Sequence, residues 1–414
     1  MVEYAVVSLS AFRRIGWSAG SQVASSGSNL AFSIIVARSI DTSLLGVFSL
    51  LLAIFNIGIG IQRGFTAEPL IFREATVSKL PSGPRQSSAL NASALLAIVL
   101  SALFIPLGLA LMVDVKTMLI FAAMTPVALL QDTVRFALND LGRSRAAFGI
   151  EVAWISVQIP LMVALGSGEL NRLIAFWGIG ALCSCAIGLA VLKVSPSVTS
   201  GLAWLKSSRK IGVVYCTDFA VSSGINQVSV LILVLMAGYG AAGELRAAQI
   251  LLTPLMVFTL GASFALGPES ARLRKAGNLR ALRKLPWIYA LGVGIFGLVS
   301  VAAIEIAPTP VLEFLMGESA ESGASLAPLA AAAICLMGMS VGSGLVLRAI
   351  GRVGQSVVAK AVIAPITLMS VGLGSWLAGA AGSQIGLSAG NSLRVAASAI
   401  LVRVNLSKIS KGEL

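Results

Sequence analysis

Nine charged side chains lie inside otherwise apolar stretches of this sequence and are its candidates for chemistry: Arg63, Asp132, Arg135, Glu151, Asp218, Arg246, Arg348, Lys360 and Arg394. An ionised group at membrane depth costs about 2.5–3.5 kcal/mol, so it usually faces a cavity or a partner. The sequence has no histidine, which removes the commonest general base, proton shuttle and metal ligand. These residues therefore offer ion pairing and the binding of ions or charged ligands.

For most of these residues a structural role competes with a functional one. Asp132 and Arg135 lie three residues apart on one helix face and could neutralise each other. Four others lie within two turns of a predicted helix end, where snorkelling to the interface is the simpler interpretation. These four are Arg63, Glu151, Arg348 and Lys360.

Three residues are harder to assign to the interface. Arg394 lies well inside the last apolar run, one turn after Asn391, and Asp218 begins a polar stripe. Cavity function and structural pairing both stay open for these two. Arg246, with Gln249 one turn on, begins its apolar run at the predicted outer side. There it either contacts an anionic ligand or anchors the helix.

A short polar segment occurs twice within apolar runs. The segment SSGSN at 25–29 is repeated as SSGIN at 222–226, 197 positions later, and the same offset carries Gly46 onto Gly243. Polar residues recur at helical spacing around both copies. The pattern predicts two equivalent membrane helices of a duplicated unit, whose polar faces, with Asn29 and Asn226, line one shared cavity.

Composition and run lengths predict a polytopic membrane protein. Of 414 residues 57% are hydrophobic and 11% charged, whereas a soluble domain has about 25% charged residues. Apolar runs long enough to cross the hydrocarbon core appear twelve times. They lie near 16–37, 44–66, 89–112, 117–138, 147–166, 171–192, 211–236, 244–267, 286–306, 326–347, 356–377 and 382–402.

The charge distribution predicts the orientation. The basic residues behind the net charge of +13 concentrate in one set of loops, which indicates membrane topology rather than a nucleic-acid partner. Both termini are therefore predicted to be cytoplasmic.

Two further correspondences indicate two six-helix halves. LNDLGR at 138–143 matches LRAIGR at 347–352, and EPLIFR at 68–73 resembles ESARLR at 269–274. The first offset is 209 rather than 197, and a longer outer loop at 307–322 accounts for the difference. Because six is even, the halves should be related by a pseudo-two-fold axis along the membrane normal.

The predicted fold class is thus an all-α polytopic membrane protein with twelve transmembrane helices in two six-helix bundles. The predicted segments are a cytoplasmic interfacial lead-in at 1–15, an N-terminal bundle at 16–192, a cytoplasmic linker at 193–210, a C-terminal bundle at 211–403 and a cytoplasmic tail at 404–414.

Motifs for catalysis are lacking. The sequence has no phosphate-binding glycine loop, zinc-ligand spacing or nucleophile elbow. Its four cysteines all fall inside apolar runs, so no disulfide framework is implied. We therefore predict no enzymatic activity, no cofactor and no metal, and any transport should be secondary or passive.

Several stretches carry a family resemblance. The first two spans read SNLAFSIIVARSI, LLGVFSLLLAI and QRGFTAEPLIFRE, the fourth contains LLQDTVRFALNDLGRSR and the eighth GELRAAQILLTPL. They resemble the polysaccharide-biosynthesis transport proteins of the MOP exporter superfamily, the group of Wzx-type flippases, whose MATE-like fold the multidrug extruders share. The likeness covers essentially the whole chain. It implies a V-shaped pair of bundles, with the first and seventh spans lining a cavity that opens alternately to each side.

The resemblance also implies a function. Such a flippase moves an undecaprenyl-pyrophosphate-linked oligosaccharide across the bacterial plasma membrane, and cavity arginines meet the pyrophosphate and acidic sugars. The predicted substrate-binding residues are Asn29, Arg63, Arg135, Asn226, Arg246, Gln249 and Arg394, and the coupling candidates are Asp132 and Asp218. The implied partners are the lipid-linked substrate, membrane lipids and other polysaccharide-assembly proteins.

Three other functions stay open. A MATE-like drug or cation antiporter would need an accessible carboxylate in its cavity, and Asp218 is the best candidate. A membrane glycosyltransferase, ligase or polymerase would need catalytic groups in a large outer loop, but the longest one, 307–322, offers only acids. A membrane scaffold without transport activity is the third.

Overall fold

The computed structural model describes residues 9–71, 85–166 and 168–411, and within these ranges the chain is helical and contains no strand. Its helices are α1 Leu9–Ser39, α2 Thr42–Phe65, α3 Ala67–Ile71, α4 Arg85–Ala110, α5 Val115–Asp140, α6 Ser144–Leu165, α7 Leu170–Leu192, α8 Val198–Phe219, α9 Ile225–Leu251, α10 Thr253–Lys275, α11 Leu279–Ile306, α12 Thr309–Met316, α13 Ala320–Ala349 and α14 Val353–Ser410. A π-helical turn, Ala220–Gly224, joins α8 to α9. A 3-10 turn, Gly317–Ser319, joins α12 to α13.

The predicted membrane spans fall within these helices and the π-helical turn, apart from a few terminal residues and Leu252. Among the described residues, nine helical stretches are long and apolar enough to cross a membrane. Two of the nine, Val198–Leu251 and Val353–Ser410, each extend over two consecutive predicted spans, wholly or in part. Helices α1 and α10 are not among the nine. The prediction of an all-α polytopic membrane protein is confirmed, and the count of twelve crossings remains a prediction.

Glycines mark the points where consecutive spans meet within one long helix. Gly238 interrupts α9 with a φ of 82°, between the seventh and eighth predicted spans. Ala378 and Gly379 interrupt α14, and Gly379 has a φ of 55°. Glycine adopts positive φ without the steric penalty of a Cβ. We call residues 353–377 the outgoing arm of α14 and residues 380–410 its returning arm.

The two matched LNDLGR and LRAIGR segments form the same turn. Gly142 and Gly351 have φ values of 70° and 74°. The following N–H, of Arg143 or Arg352, donates to the carbonyl five residues back, at Leu138 or Leu347, over 2.8 Å in each case. Each turn ends one helix and leads directly into the next, α5 into α6 and α13 into α14. The sequence repeat is therefore also a repeat of local structure.

The chain divides into two compact units. The first unit comprises Met1–Ile40 and Ile54–Ala220, and the second comprises Asp41–Ala53 and Val221–Leu414. The beginning of α2 thus belongs with the second unit, although the sequence analysis placed the whole second span in the N-terminal bundle. The predicted bundle limits remain predictions.

A hydrophobic core holds the first unit together. Its buried members come from α3 to α8 and include Leu90, Val134, Ile150, Cys185 and Trp204. The Trp204 indole N–H donates to the Phe65 carbonyl over 2.9 Å, so the one polar atom of this fully buried ring is satisfied. Cys185 packs in this core as a small apolar side chain.

The predicted lead-in and tail lie partly outside the described residues. Residues 1–8 and 412–414, from the predicted lead-in and tail, lie outside the described residues, as does Arg73 of the EPLIFR motif. Residues 9–15 of the lead-in begin α1, and most of the predicted linker at 193–210 is helical because α8 starts at Val198.

Candidate functional site

A buried ion network lies in the first unit and joins α2, α5 and α6. The Arg63 guanidinium donates from Nε and Nη2 to both oxygens of Asp132, over 2.7 and 2.8 Å. Arg135 Nη2 donates to the same carboxylate over 2.8 Å, and Arg135 Nε lies 3.7 Å from Glu151 Oε1. Asp132 is 7% exposed and Glu151 is 2% exposed. Two cations and two carboxylates are therefore balanced within the unit.

Glu151 connects this network to the repeated polar segment. Its carboxylate accepts from the Ser25 side chain of α1 and from Gln131 Nε2 of α5, the latter over 2.9 Å. Gln131 Nε2 also lies 3.1 Å from Ser184 Oγ of α7. An interface position was the simpler interpretation for Glu151, but the residue is buried and its partners lie on α1 and α5. Sequence spacing along one helix could not reveal these partners.

A neighbouring amide links α4 to these helices. Gln62 Nε2, on α2, lies 2.6 Å from Ser93 Oγ on α4. The same nitrogen is 2.9 Å from Thr133 Oγ1 on α5. Polar side chains thus link α1, α2, α4, α5, α6 and α7. Networks of this kind in a low-dielectric interior specify one packing arrangement strongly when they are satisfied.

The second unit places the opposite charge at the repeat-related position. Glu151 follows Arg143 by eight residues, and Lys360 follows Arg352 by eight. Lys360 Nζ donates to Ser222 Oγ over 3.2 Å, and Ser222 is the repeat equivalent of Ser25 at the offset of 197. The same pair of positions therefore meets in each unit, with a carboxylate in the first and an ammonium in the second.

The Ser222 side of this contact has an unusual backbone. Residues 220–224 form a π-helical turn, so the second copy of the polar segment departs from regular α-helix. Single π-helical turns occur frequently at functional sites. Neither the π-helical turn nor the contact with Lys360 was predicted. The two repeat offsets of 197 and 209, taken together, do align Ser25 with Ser222 and Glu151 with Lys360.

Arg394 is the most deeply buried cation of the second unit that the sequence predicted. The residue is 3% exposed, and its Nε and Nη2 have no hydrogen-bond partner among the described residues. One turn earlier, Asn391 Nδ2 donates to the Ala333 carbonyl over 3.0 Å, which holds the returning arm of α14 against α13. Buried guanidinium donors without acceptors are energetically costly, so Arg394 is a candidate for meeting an anion that binds there.

Arg246 and Gln249 lie on α9 in the second unit. The Arg246 guanidinium carbon is 5.7 Å from the centroid of the Phe48 ring, close enough for a cation–π contact. Gln249 is partly buried, and its backbone carbonyl accepts from Thr253 Oγ1 over 3.2 Å. The face of the Phe48 ring stabilises the Arg246 charge. The role of Arg246 in ligand binding remains a prediction.

The same pair of helices meets at the two repeat-related glycines. A Cβ on Gly46 would lie 1.9 Å from the Tyr239 carbonyl oxygen, and one on Gly243 would lie 1.9 Å from the Thr42 carbonyl oxygen. The backbones of α2 and α9 therefore touch reciprocally, which only glycine permits at these positions. The correspondence between Gly46 and Gly243 was found in the sequence, but their contact was not.

The remaining predicted site residues occupy less constrained positions. Asn29 is exposed on α1, and its carbonyl accepts from Ser33 Oγ over 2.8 Å. Asn226 Nδ2 lies 3.0 Å from Met337 Sδ, and Asp218 is partly exposed near the end of α8. The structure thus brings Arg63, Asp132 and Arg135 together within the first unit. Their roles in binding and coupling remain predictions.

Comparison with known proteins identifies the fold. No protein-family model matches the sequence, and no curated protein matches it significantly. Among solved structures, the chain is similar to an inward-facing multidrug resistance MATE family transporter of the MOP superfamily, with a TM-score of 0.74, 15% identity and coverage of 94% of this chain and 96% of that one. It is also similar to the lipid II flippase MurJ in an inward closed conformation, with a TM-score of 0.67, 13% identity and coverage of 96% and 90%.

A eukaryotic MATE transporter, AtDTX14, matches with a TM-score of 0.59 and 13% identity over 95% of each chain. The chain therefore has the fold of MOP-superfamily membrane transporters, as the resemblance in its sequence implied. Because the identities are so low, the likeness identifies the fold and not the substrate.

Proposed function

We propose that this protein is a secondary transporter that flips a lipid-linked, undecaprenyl-pyrophosphate-type oligosaccharide across the bacterial plasma membrane by alternating access. The observation that carries the proposal is Arg394, a cation that is 3% exposed and whose Nε and Nη2 have no hydrogen-bond acceptor among the described residues. Guanidinium matches the geometry of phosphate oxygens and binds them in a bidentate manner. A pyrophosphate headgroup would supply the missing acceptors.

The charge inversion between the two units supports an anionic substrate. In the first unit, Glu151 is held among Ser25, Gln131 and Arg135 within a balanced network. In the second unit, the equivalent position carries Lys360. Cations of the second unit, Arg394 and Lys360, are therefore the groups we assign to the substrate's phosphates.

The antiporter alternative is weakened by the state of the buried carboxylates. A site for cationic drugs needs a carboxylate that is free to pair with a ligand, but Asp132 is bound by both Arg63 and Arg135. Glu151 already accepts from Ser25 and Gln131 and lies 3.7 Å from Arg135. Asp218 is the remaining candidate for such a site, and Asp132 and Asp218 stay candidates for ion coupling in either function.

Depletion of the protein followed by mass spectrometry of the lipid extract tests the proposal in cells. We expect undecaprenyl-pyrophosphate oligosaccharide to accumulate, and the accumulated species would name the glycan. Complementation with Arg394→Ala should fail although the variant inserts at normal abundance. Arg403→Ala, on the exposed side of the same helix, is the matched control and should restore the lipid profile. An unchanged profile with new sensitivity to cationic drugs would favour the antiporter instead.

A further inference from the structure

An apolar groove runs between the two arms of α14 in the second unit. Its volume is about 630 Å³. Gly354, Val358 and Ala359 line it on the outgoing arm, and Ala397, Ile400 and Leu401 line it on the returning arm. The small glycine and alanine residues leave room between the arms, and Val358 and Ile400 are each 62% exposed. Exposed apolar surface of this kind suits a hydrocarbon chain.

The polar group in the groove wall is satisfied within the protein. Gln355 also lines the groove, and its Oε1 accepts from Asn405 Nδ2 over 2.7 Å. Asn405 Nδ2 in turn lies 2.8 Å from the Leu401 carbonyl. The bond between Asn405 and Gln355 joins the two arms of α14. The Gln355 side-chain carbonyl therefore already has a donor. The rest of the groove offers a hydrocarbon chain an apolar surface.

Basic residues lie at the two ends of α14. Lys408 lies eleven residues after Ala397 and seven after Leu401, so the three residues share one face of the returning arm. Lys408 is exposed, and Arg352 is the N-cap of α14, two residues before Gly354. The charged side chains of α14 itself are all basic, namely Lys360, Arg394, Arg403 and Lys408. A headgroup near these residues thus meets positive charge without an acidic residue of α14 to oppose it.

We propose that this groove binds an anionic glycerophospholipid, with one acyl chain between the arms of α14 and the phosphate at Lys408 and Arg352. Basic residues between helices at the cytoplasmic surface are a known basis for recognising anionic headgroups. The predicted orientation puts both ends of α14 in the cytoplasmic leaflet, where the lipid would hold the two arms together. Arg394 does not line the groove, and the proposal does not depend on which substrate the protein transports.

Native mass spectrometry of the purified full-length protein, titrated with phosphatidylglycerol or phosphatidylcholine, tests this proposal. Two matched pairs of variants separate the site from general effects. Lys408→Gln is compared with Arg403→Gln, which lies on another exposed face of the same arm, and Ala397→Phe with Ala396→Phe, its exposed neighbour. We expect the wild type to retain phosphatidylglycerol in preference to phosphatidylcholine.

The loss of one basic contact should lower phosphatidylglycerol occupancy about fivefold in Lys408→Gln. Ala397→Phe, which fills the groove, should lower it at least as much, and the two controls should bind like the wild type. Equal retention of both lipids, or wild-type binding by Lys408→Gln, would overturn the proposal. Since Lys408 is exposed, its variant tests the site even if Ala397→Phe does not fold. Preferential retention of a polyprenyl phosphate at the same residues would overturn the choice of a glycerophospholipid.

Discussion

Replacing Asp132 by asparagine removes the carboxylate that holds two arginines together in the first unit. Asp132 accepts from Arg63 over 2.7 and 2.8 Å and from Arg135 over 2.8 Å. Removing one partner of a buried ion pair typically costs about 3–5 kcal/mol, because the other charge stays buried without compensation. The Arg63 side chain is 36% exposed and can be partly hydrated. We therefore expect the lower end of that range, about 3 kcal/mol.

Thermal unfolding of the purified protein in detergent measures this loss. For a unit of this size, about 3 kcal/mol corresponds to a decrease in Tm of about 6–12 °C. The control is Glu169→Gln, which removes a carboxylate from a pair with Arg172 that is 53% exposed on both sides. Exposed pairs contribute little, so its Tm should stay close to that of the wild type.

A double variant separates this explanation from a general intolerance of substitution at Asp132. Arg63→Gln combined with Asp132→Asn leaves one fewer uncompensated cation than Asp132→Asn alone. The double variant should therefore be no less stable than the single one. A Tm within about 2 °C of the wild type for Asp132→Asn, or a double variant whose loss equals the sum of the two single losses, would refute the reasoning.

Two further predictions concern the second unit. Gly243→Val should destabilise the protein by about 1–3 kcal/mol, since its Cβ would lie 1.9 Å from the Thr42 carbonyl oxygen. Gly240→Val, on the same helix with nothing within 4 Å of its Cβ position, should melt close to the wild type in the same thermal assay, and equal effects would remove the contact as the cause. Lys360→Glu gives the second unit the charge of the first, and should abolish transport of an anionic lipid while the variant folds and inserts. Lys360→Arg should retain transport, and activity in Lys360→Glu would exclude the residue from the site.

The sequence predicted the class of fold and its internal repeat because both depend on local patterns. Apolar run length located the membrane helices. Gly142 of LNDLGR and Gly351 of LRAIGR have the positive φ that the turn requires. The breaks at Gly238 and Gly379 fell between predicted spans for the same reason. Local composition determines such features.

The partners of the charged residues were predicted less completely. The pairing of Asp132 with Arg135 followed from their spacing on one helix, and the structure contains it. Arg63, Glu151 and Ser25 join them from other helices, which no single-helix pattern can reveal. The repeat offers one route past this limit, because matching each unit to the other aligns residues that lie far apart in the sequence.

The surroundings of Arg394 likewise could not be predicted from the pattern of a single helix. Its depth within the last span was evident from the sequence, but the absence of acceptors around Nε and Nη2 among the described residues required coordinates. This observation favours an anionic substrate over a cationic one. It also makes the arginine the residue on which the proposed function depends most.

Flipping of a fluorescent undecaprenyl-pyrophosphate-linked oligosaccharide in proteoliposomes of the purified protein tests the central claim most directly. The fraction of label accessible to an impermeant quencher reports movement between leaflets. We predict that the wild type and Arg403→Ala equilibrate the label across the membrane and that Arg394→Ala does not. Equilibration by Arg394→Ala at the wild-type rate, or none by a correctly folded wild type, would contradict the proposed function.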